Sequence, residues 1–322
     1  MKSKKITALA AAVFAALPLA ACSPEEEGRA CRVYMPDGAP AVALSALMDG
    51  GYDGASFTVT SAIAQRVSSG EADIAVMPVN SAATLYNGNV DIVMLTVNTH
   101  GNLYIVGEGE ATFDDLVGKK LGSIGMGQVP DLTFKMIAAE KGISADSISV
   151  TYGKDAAAVL AQFQANPPID YALIAEPAVT TAASKLGKKV VIDMQELWRE
   201  TIGGDYPQAC LVAKRSILND AEGKKFIDRF IDDLTASDGW AELNPQKAVD
   251  TIAAHMESGT AASLKTLNAE IVKRCNIKTV YAADSKADCN AFFERLTKIK
   301  PNPDSSATAL AKVPDDGFYY VR

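Results

Sequence analysis

Glu176 is the residue of this sequence that most invites a chemical reading. It stands in "YALIAEPAVTT", directly after an apolar run that ends at Ala175 and directly before Pro177. A carboxylate at the end of a buried strand is costly unless it is paired or hydrated. It could accept hydrogen bonds from an amine or a heterocycle, or pair with a partner elsewhere in the chain. Asn80 and Ser81, in "IAVMPVNSAAT", hold a comparable position earlier in the sequence. They offer a neutral amide and a hydroxyl, either to a ligand or as helix N-caps. Asp37, Asn98 and His100 also follow apolar runs. "GMGQ", Gly125 to Gln128, lacks the third glycine of a dinucleotide fingerprint, but the backbone N–H groups around Gly127 and Gln128 could cradle an anionic group.

These residue types suit recognition better than catalysis. The chain has only two histidines, His100 and His255, and no GxSxG, HExxH or Walker-type run. Nothing assembles a nucleophile, a base and an orienting group. No CxxC or HxxxH spacing points to a metal, and no cofactor is expected. The expectation is therefore a binding protein and not an enzyme.

The elements that must position these residues are legible as an alternation. "RVYM", "SFTVTS", "DIAVM" and "DIVMLTV" read as short buried strands, with helical segments "APAVALSALM", "IAQRVSS" and "NSAATLYN" between them. After "NTHGNLYIVGEGE" the order restarts: "KLGSIGM", "SISVTY", "DYALIA" and "KVVIDM" alternate with three further helices. The repeat is one of pattern, with little identity. It predicts an α/β fold of two similar lobes around a ligand cleft. In such sheets ligands sit beyond the carboxyl ends of the strands. That selects five loops, Pro36–Pro40, Pro78–Ser81, Asn98–His100, Gly125–Pro130 and Glu176–Pro177, which hold neither Arg nor Lys. From "NDAEGKKFIDRF" onward the text is helical, and this tail is expected to pack back on the first lobe.

The 322 residues carry a formal net charge of −8 and 48% hydrophobic residues. That composition is globular and long enough for two ordinary domains. No dense basic cluster follows the N-terminus, which argues against a nucleic-acid partner. "MKSKK" followed by "ITALAAAVFAALPLAA" reads as an export signal. Its end, "LAAC", resembles a bacterial lipobox, so Cys22 is expected to become the lipidated first residue, carrying palmitate-type acyl chains, with "SPEEEGR" as a tether. Cys275 and Cys289 are a possible disulfide in an exported protein, bridging two helices. Spacing assigns no disulfide pairing to Cys31 or Cys210.

Lipobox, doubled α/β pattern, "SGEADIAVMPVNSAATLYN", "ALIAEPAVTT" and the ending "PDDGFYY" together resemble the solute-binding lipoproteins of ABC transporters, in the branch of nitrate, sulfonate, taurine and thiamine-pyrimidine-precursor binders. The resemblance spans nearly all of the mature chain. It implies a type II periplasmic-binding fold that closes on a small polar solute and docks on a membrane permease. It makes "NTHGNLYIVG" and "GGDYPQACLV" the two crossovers. The implied division is 1–21 signal peptide, 22–30 tether, 31–100 with 208–322 as lobe I, and 101–207 as lobe II. The implied protein is a monomer, lipid-anchored on the extracytoplasmic face of the cell membrane. Alternatives on the same fold are a receptor that presents its solute to a sensor, and an enzyme like the thiamine-pyrimidine synthases.

Overall fold

The computed structural model describes residues 30–258, 267–300 and 308–322. The export segment, Cys22 and all of the tether but Ala30 lie outside the described residues.

The chain begins as strand–helix pairs: β1 (Cys31–Met35), α1 (Ala39–Met48), β2 (Ala55–Val59), α2 (Ile63–Ser68), β3 (Ile74–Pro78) and α3 (Val79–Asn87), then β4 (Ile92–His100). It crosses into β5 (Leu103–Gly107) and repeats the plan. The second set is β6 (Lys120–Ile124), α4 (Val129–Glu140), β7 (Ser149–Gly153), α5 (Ala156–Ala161), β8 (Tyr171–Ala175), α6 (Ala178–Leu186) and β9 (Lys189–Asp193), with α7 (Met194–Thr201) after it. It returns through β10 (Pro207–Lys214). The tail is α8 (Ala221–Ala236), α9 (Trp240–Leu243), α10 (Pro245–Ala254), α11 (Ala269–Arg274), β11 (Ile277–Tyr281) and α12 (Ala282–Leu296).

Two sheets result. One is six-stranded, β2-β1-β3-β10-β4-β11, and the other five-stranded, β7-β6-β8-β5-β9. Both follow one plan. A first strand (β1, β6) lies between two parallel neighbours. A strand that comes from the other side of the crossover (β10, β5) is antiparallel to both of its own neighbours. The apolar runs explain the central placement of strands such as β3, whose Ile74 to Met77 are all buried. A strand covered on both faces needs no polar alternation.

The larger sheet separates two cores. Ala209, Leu211 and Ala213 of β10 face a core built with α1, α8, α10 and α11. Cys210 and Val212 face the other, which includes α12 through Cys289, Phe292 and Phe293. That second core continues without a break into the second lobe through Leu103, Leu121, Phe134 and Trp198. At this waist, Tyr206 stacks on Phe292 with ring centroids 6.4 Å apart, and Trp198 lies 5.0 Å from Tyr206. The tail thus packs on the first lobe as expected, and it also reaches the second.

Three features depart from the sequence reading. Helix α7 was not expected; its start is set by Asp193, whose Oδ1 accepts the N–H groups of Gln195 and Glu196. Strand β11 replaces what read as a connection between two helices, and it pairs antiparallel with β4. The possible Cys275–Cys289 disulfide is not formed: both are free, buried thiols. Cys275 closes α11, which belongs to one core, whereas Cys289 lies in the other. A spacing of one strand puts the pair on different layers, which no short sequence distance can reveal.

Candidate functional site

The five loops chosen from the sequence lie at the carboxyl ends of β1, β3, β4, β6 and β8. In the first lobe, Asp37 precedes α1, and its Oδ1 accepts the Gly38 N–H at 2.8 Å. Gly38 has φ 97°, a left-handed conformation that a side chain would strain. Asn80 and Ser81 open α3, which has Pro78 at its N-cap and no side-chain cap. Asn80 is buried at 5% exposure, and its Oδ1 has no hydrogen-bond partner among the described residues. Asn98 is fully buried; its Oδ1 accepts the Thr96 hydroxyl at 3.2 Å, while its Nδ2 has no partner. Amide atoms at such depth cost about 1–3 kcal/mol each unless water or a ligand meets them.

The second lobe is different in kind. Asp131, in the first turn of α4 and 1% exposed, accepts the Gly127 N–H at 2.8 Å, Lys135 Nζ at 2.8 Å and the Tyr152 hydroxyl at 2.6 Å. The Gly127 N–H that looked free to cradle an anion is therefore spent on the protein's own carboxylate. Gln128 is exposed, and its N–H closes the turn onto Gly125 O at 2.8 Å. Asp155 and Asp193 cap α5 and α7 in the same manner. These helix starts, where a dipole would favour an anion, are already neutralised.

Glu176 lies just before α6 with its side chain fully buried. Its carboxylate accepts the Thr180 N–H and hydroxyl, each at 3.2 Å. The partner that sequence reading could not name is Arg274, the last residue of α11. Its Nε lies 2.6 Å from Glu176 Oε1, and a terminal nitrogen donates to Thr180 Oγ1 at 3.0 Å. This pair bridges the two lobes. A second bridge, Arg295 to Glu140, joins α12 to α4.

His100 is engaged with β11 and the turn before it. Its Nε2 contacts Lys278 O at 3.2 Å and its backbone N–H donates to Asn276 O. Burial lowers its pKa, which favours the neutral ring. His100 belongs to the crossover, where Gly101 follows. A Cβ on Gly101 would stand 1.7 Å from Gln195 Oε1 and 2.1 Å from Tyr206 Cζ, so only glycine fits there. Asn276, in the left-handed region at φ 48°, donates from Nδ2 to Gly101 O at 2.9 Å.

A cavity of about 220 Å³ between α1, α9 and α11 is lined by none of the residues chosen from the sequence. Several of its polar groups are already engaged within the protein: Asp238 accepts the Thr279 hydroxyl, Glu242 pairs with Lys273, and the Ser45 hydroxyl donates to Val42 O. Among the described residues, no group of three or more His, Cys, Asp and Glu is placed to hold a metal, and no helix is long and apolar enough to cross a membrane.

A family model described as "VitK2_biosynth: Menaquinone biosynthesis" matches residues 132–294, just over half of the chain. The chain belongs to the VitK2_biosynth family. No curated protein matches it. Among solved structures, this VitK2_biosynth chain is similar to an ABC transporter protein from Parabacteroides distasonis (21% identity, 91% of this chain and 99% of that one, TM-score 0.72). It is similar also to the periplasmic aliphatic sulphonate-binding protein SsuA of Escherichia coli (18% identity, 83% and 92%, TM-score 0.61). A third is the periplasmic nitrate-binding protein NrtA of Synechocystis (11% identity, 86% and 83%, TM-score 0.58). At these identities the likeness is one of fold, and the fold is that of type II periplasmic binding proteins.

Proposed function

We propose that the protein is an extracytoplasmic solute-binding lipoprotein that captures a small polar solute between two closing lobes and delivers it to an ABC-type importer. The observation that carries this reading is a pair of α/β lobes built on one plan, each with polar residues at the carboxyl ends of its strands, joined by the Arg274–Glu176 ion pair. In this reading Asn80 and Asn98 belong to one wall of the cleft and Glu176 to the other. A solute that touches both walls favours the closed arrangement by its differential affinity for it. The fold shared with an ABC transporter protein and with sulfonate and nitrate binders supports the reading.

In this reading 31–100 and 208–322 form lobe I, 101–207 form lobe II, and Cys22 carries the lipid that holds a monomer at the membrane. Asp37, Ser81 and Gln128 line the rim. The experiment is a thermal-shift and native mass spectrometry screen of the mature chain against amines, pyrimidines, amino acids, sulfonates and nitrate. A solute raises the melting temperature by mass action. Absence of any binder across these classes would overturn the reading.

The family description favours a second reading, an enzyme of menaquinone biosynthesis. The chemistry of the described residues favours it less. Burial pushes the Cys275 and Cys289 thiols up to about 12 and Cys210 well above the ordinary range, the opposite of an activated thiolate. Recovery of the bound solute in altered form after incubation would decide for the enzyme.

A further inference from the structure

We propose that Glu176 receives a cationic or amidine-like group of the solute, and that Arg274 is an internal competitor that occupies this carboxylate until the solute displaces it. This rests on the solute-binding reading above and names the chemical class that the site selects.

The pair is asymmetric in a manner that suits exchange. Glu176 is fixed: its side chain is fully buried, and Thr180 grips it by N–H and hydroxyl. Arg274 is the movable partner. Its side chain is 39% exposed, and it reaches across the cleft from the final residue of a six-residue helix. A guanidinium on a long stem returns to water at small cost. A buried carboxylate left without a cation does not stay so cheaply. Whatever displaces Arg274 must therefore bring positive charge, or a planar fork of N–H donors like the one it replaces. An anionic solute would face this carboxylate, and Lys135, which follows the β6–α4 loop, is tied to Asp131 at 2.8 Å.

The exchange is wired to the crossover. The Arg274 carbonyl accepts the Tyr104 hydroxyl of β5 at 3.1 Å. Two residues later, Asn276 holds the first crossover on both sides, through Nδ2 to Gly101 O and through its carbonyl to the His100 N–H. Loss of the Arg274 side chain from Glu176 thus releases one end of a three-residue clasp whose other end grips the hinge. A solute of the right charge replaces the bridge between the lobes and frees the clasp in one event.

The test uses ethylguanidinium, which carries the same head group as arginine. At about 10 mM it should raise the melting temperature of Arg274→Ala by about 3 °C more than that of the wild type. The gain should vanish in Arg274→Ala combined with Glu176→Gln, and methanesulfonate should give none. Should Arg274→Ala fail to fold, Arg274→Gln, which keeps the stem, takes its place. Equal response of wild type and variant, or stabilisation of the wild type by methanesulfonate that Arg274→Ala abolishes, would overturn the proposal. This probe reports on the carboxylate alone. Rescue without any natural binder would refute the transport reading and leave the selectivity of Glu176 standing, whereas an anionic natural solute would do the reverse.

Discussion

Asn102 and Gln208 bond to each other twice, the Asn102 N–H to Gln208 Oε1 at 3.2 Å and Gln208 Nε2 to Asn102 Oδ1 at 2.6 Å. One follows the outgoing crossover and the other lies on the returning strand, so the pair ties the two crossover segments side by side. Gln208→Ala removes both bonds and leaves the buried Asn102 N–H without that acceptor. We expect a loss of about 1–3 kcal/mol in urea unfolding, together with a wider spread of lobe arrangements in solution scattering. A variant as stable and compact as the wild type would deny the pair a hinge role.

Asn80→Ala should separate stability from binding. The orphaned Oδ1 contributes nothing to the fold, and its removal relieves an unpaired buried acceptor. The melting temperature should hold or rise slightly while affinity for the identified solute falls about tenfold, roughly one hydrogen bond. Calorimetry and thermal melts on the same sample decide; unchanged affinity would remove Asn80 from the site.

Asp131→Asn should loosen the β6–α4 loop. The carboxylate serves the Gly127 N–H, Lys135 and Tyr152 together. Its neutralisation is expected to cost about 1–3 kcal/mol, and hydrogen exchange at the Gly127 amide should quicken. Exchange at the wild-type rate would show that the loop is held by other means.

His100 sets a pH dependence at the crossover. Burial lowers its folded pKa below the unfolded value of about 6.5. The unfolded state then binds the proton more readily, so stability falls as pH drops below about 6.5 towards the folded value. His100→Gln should lose less stability than the wild type between about pH 7.5 and 5.5. Parallel melting curves for the two proteins across that range would contradict this account.

Much of the architecture was legible because it rests on local rules. Gly50, Gly142 and Gly187 end helices, and Pro40, Pro130 and Pro245 begin them. The uniform apolar runs of β3 and β8 could only be central strands. The missed elements follow different rules. α7 begins directly after β9, and the sequence reading carried the strand through Met194, although Asp193, the strand's last residue, is also the helix cap; the capping acid two residues before Gln195 was the available signal. β11 is an edge strand with one buried residue, Thr279, so it lacked an apolar run. Glu176 stood out in the sequence, since a carboxylate after an apolar strand is conspicuous. Arg274 was not, because the two are 98 positions apart and meet only when the lobes do. Gly127 was misread because the acid that occupies its N–H is four residues on, inside the helix.

The aromatic waist gives the molecule an optical property. The chain has two tryptophans. Trp198 is 3% exposed and packed on Tyr206 and Phe292, where elements of both lobes and the tail converge. Trp240 sits on α9, remote from that junction, with Lys247 over its ring. A rotation of one lobe against the other must change the ring contacts of the first indole and leave those of the second alone. With Trp240 replaced by Phe, the emission of the remaining indole becomes a built-in gauge of how far the jaws have turned, without any label attached.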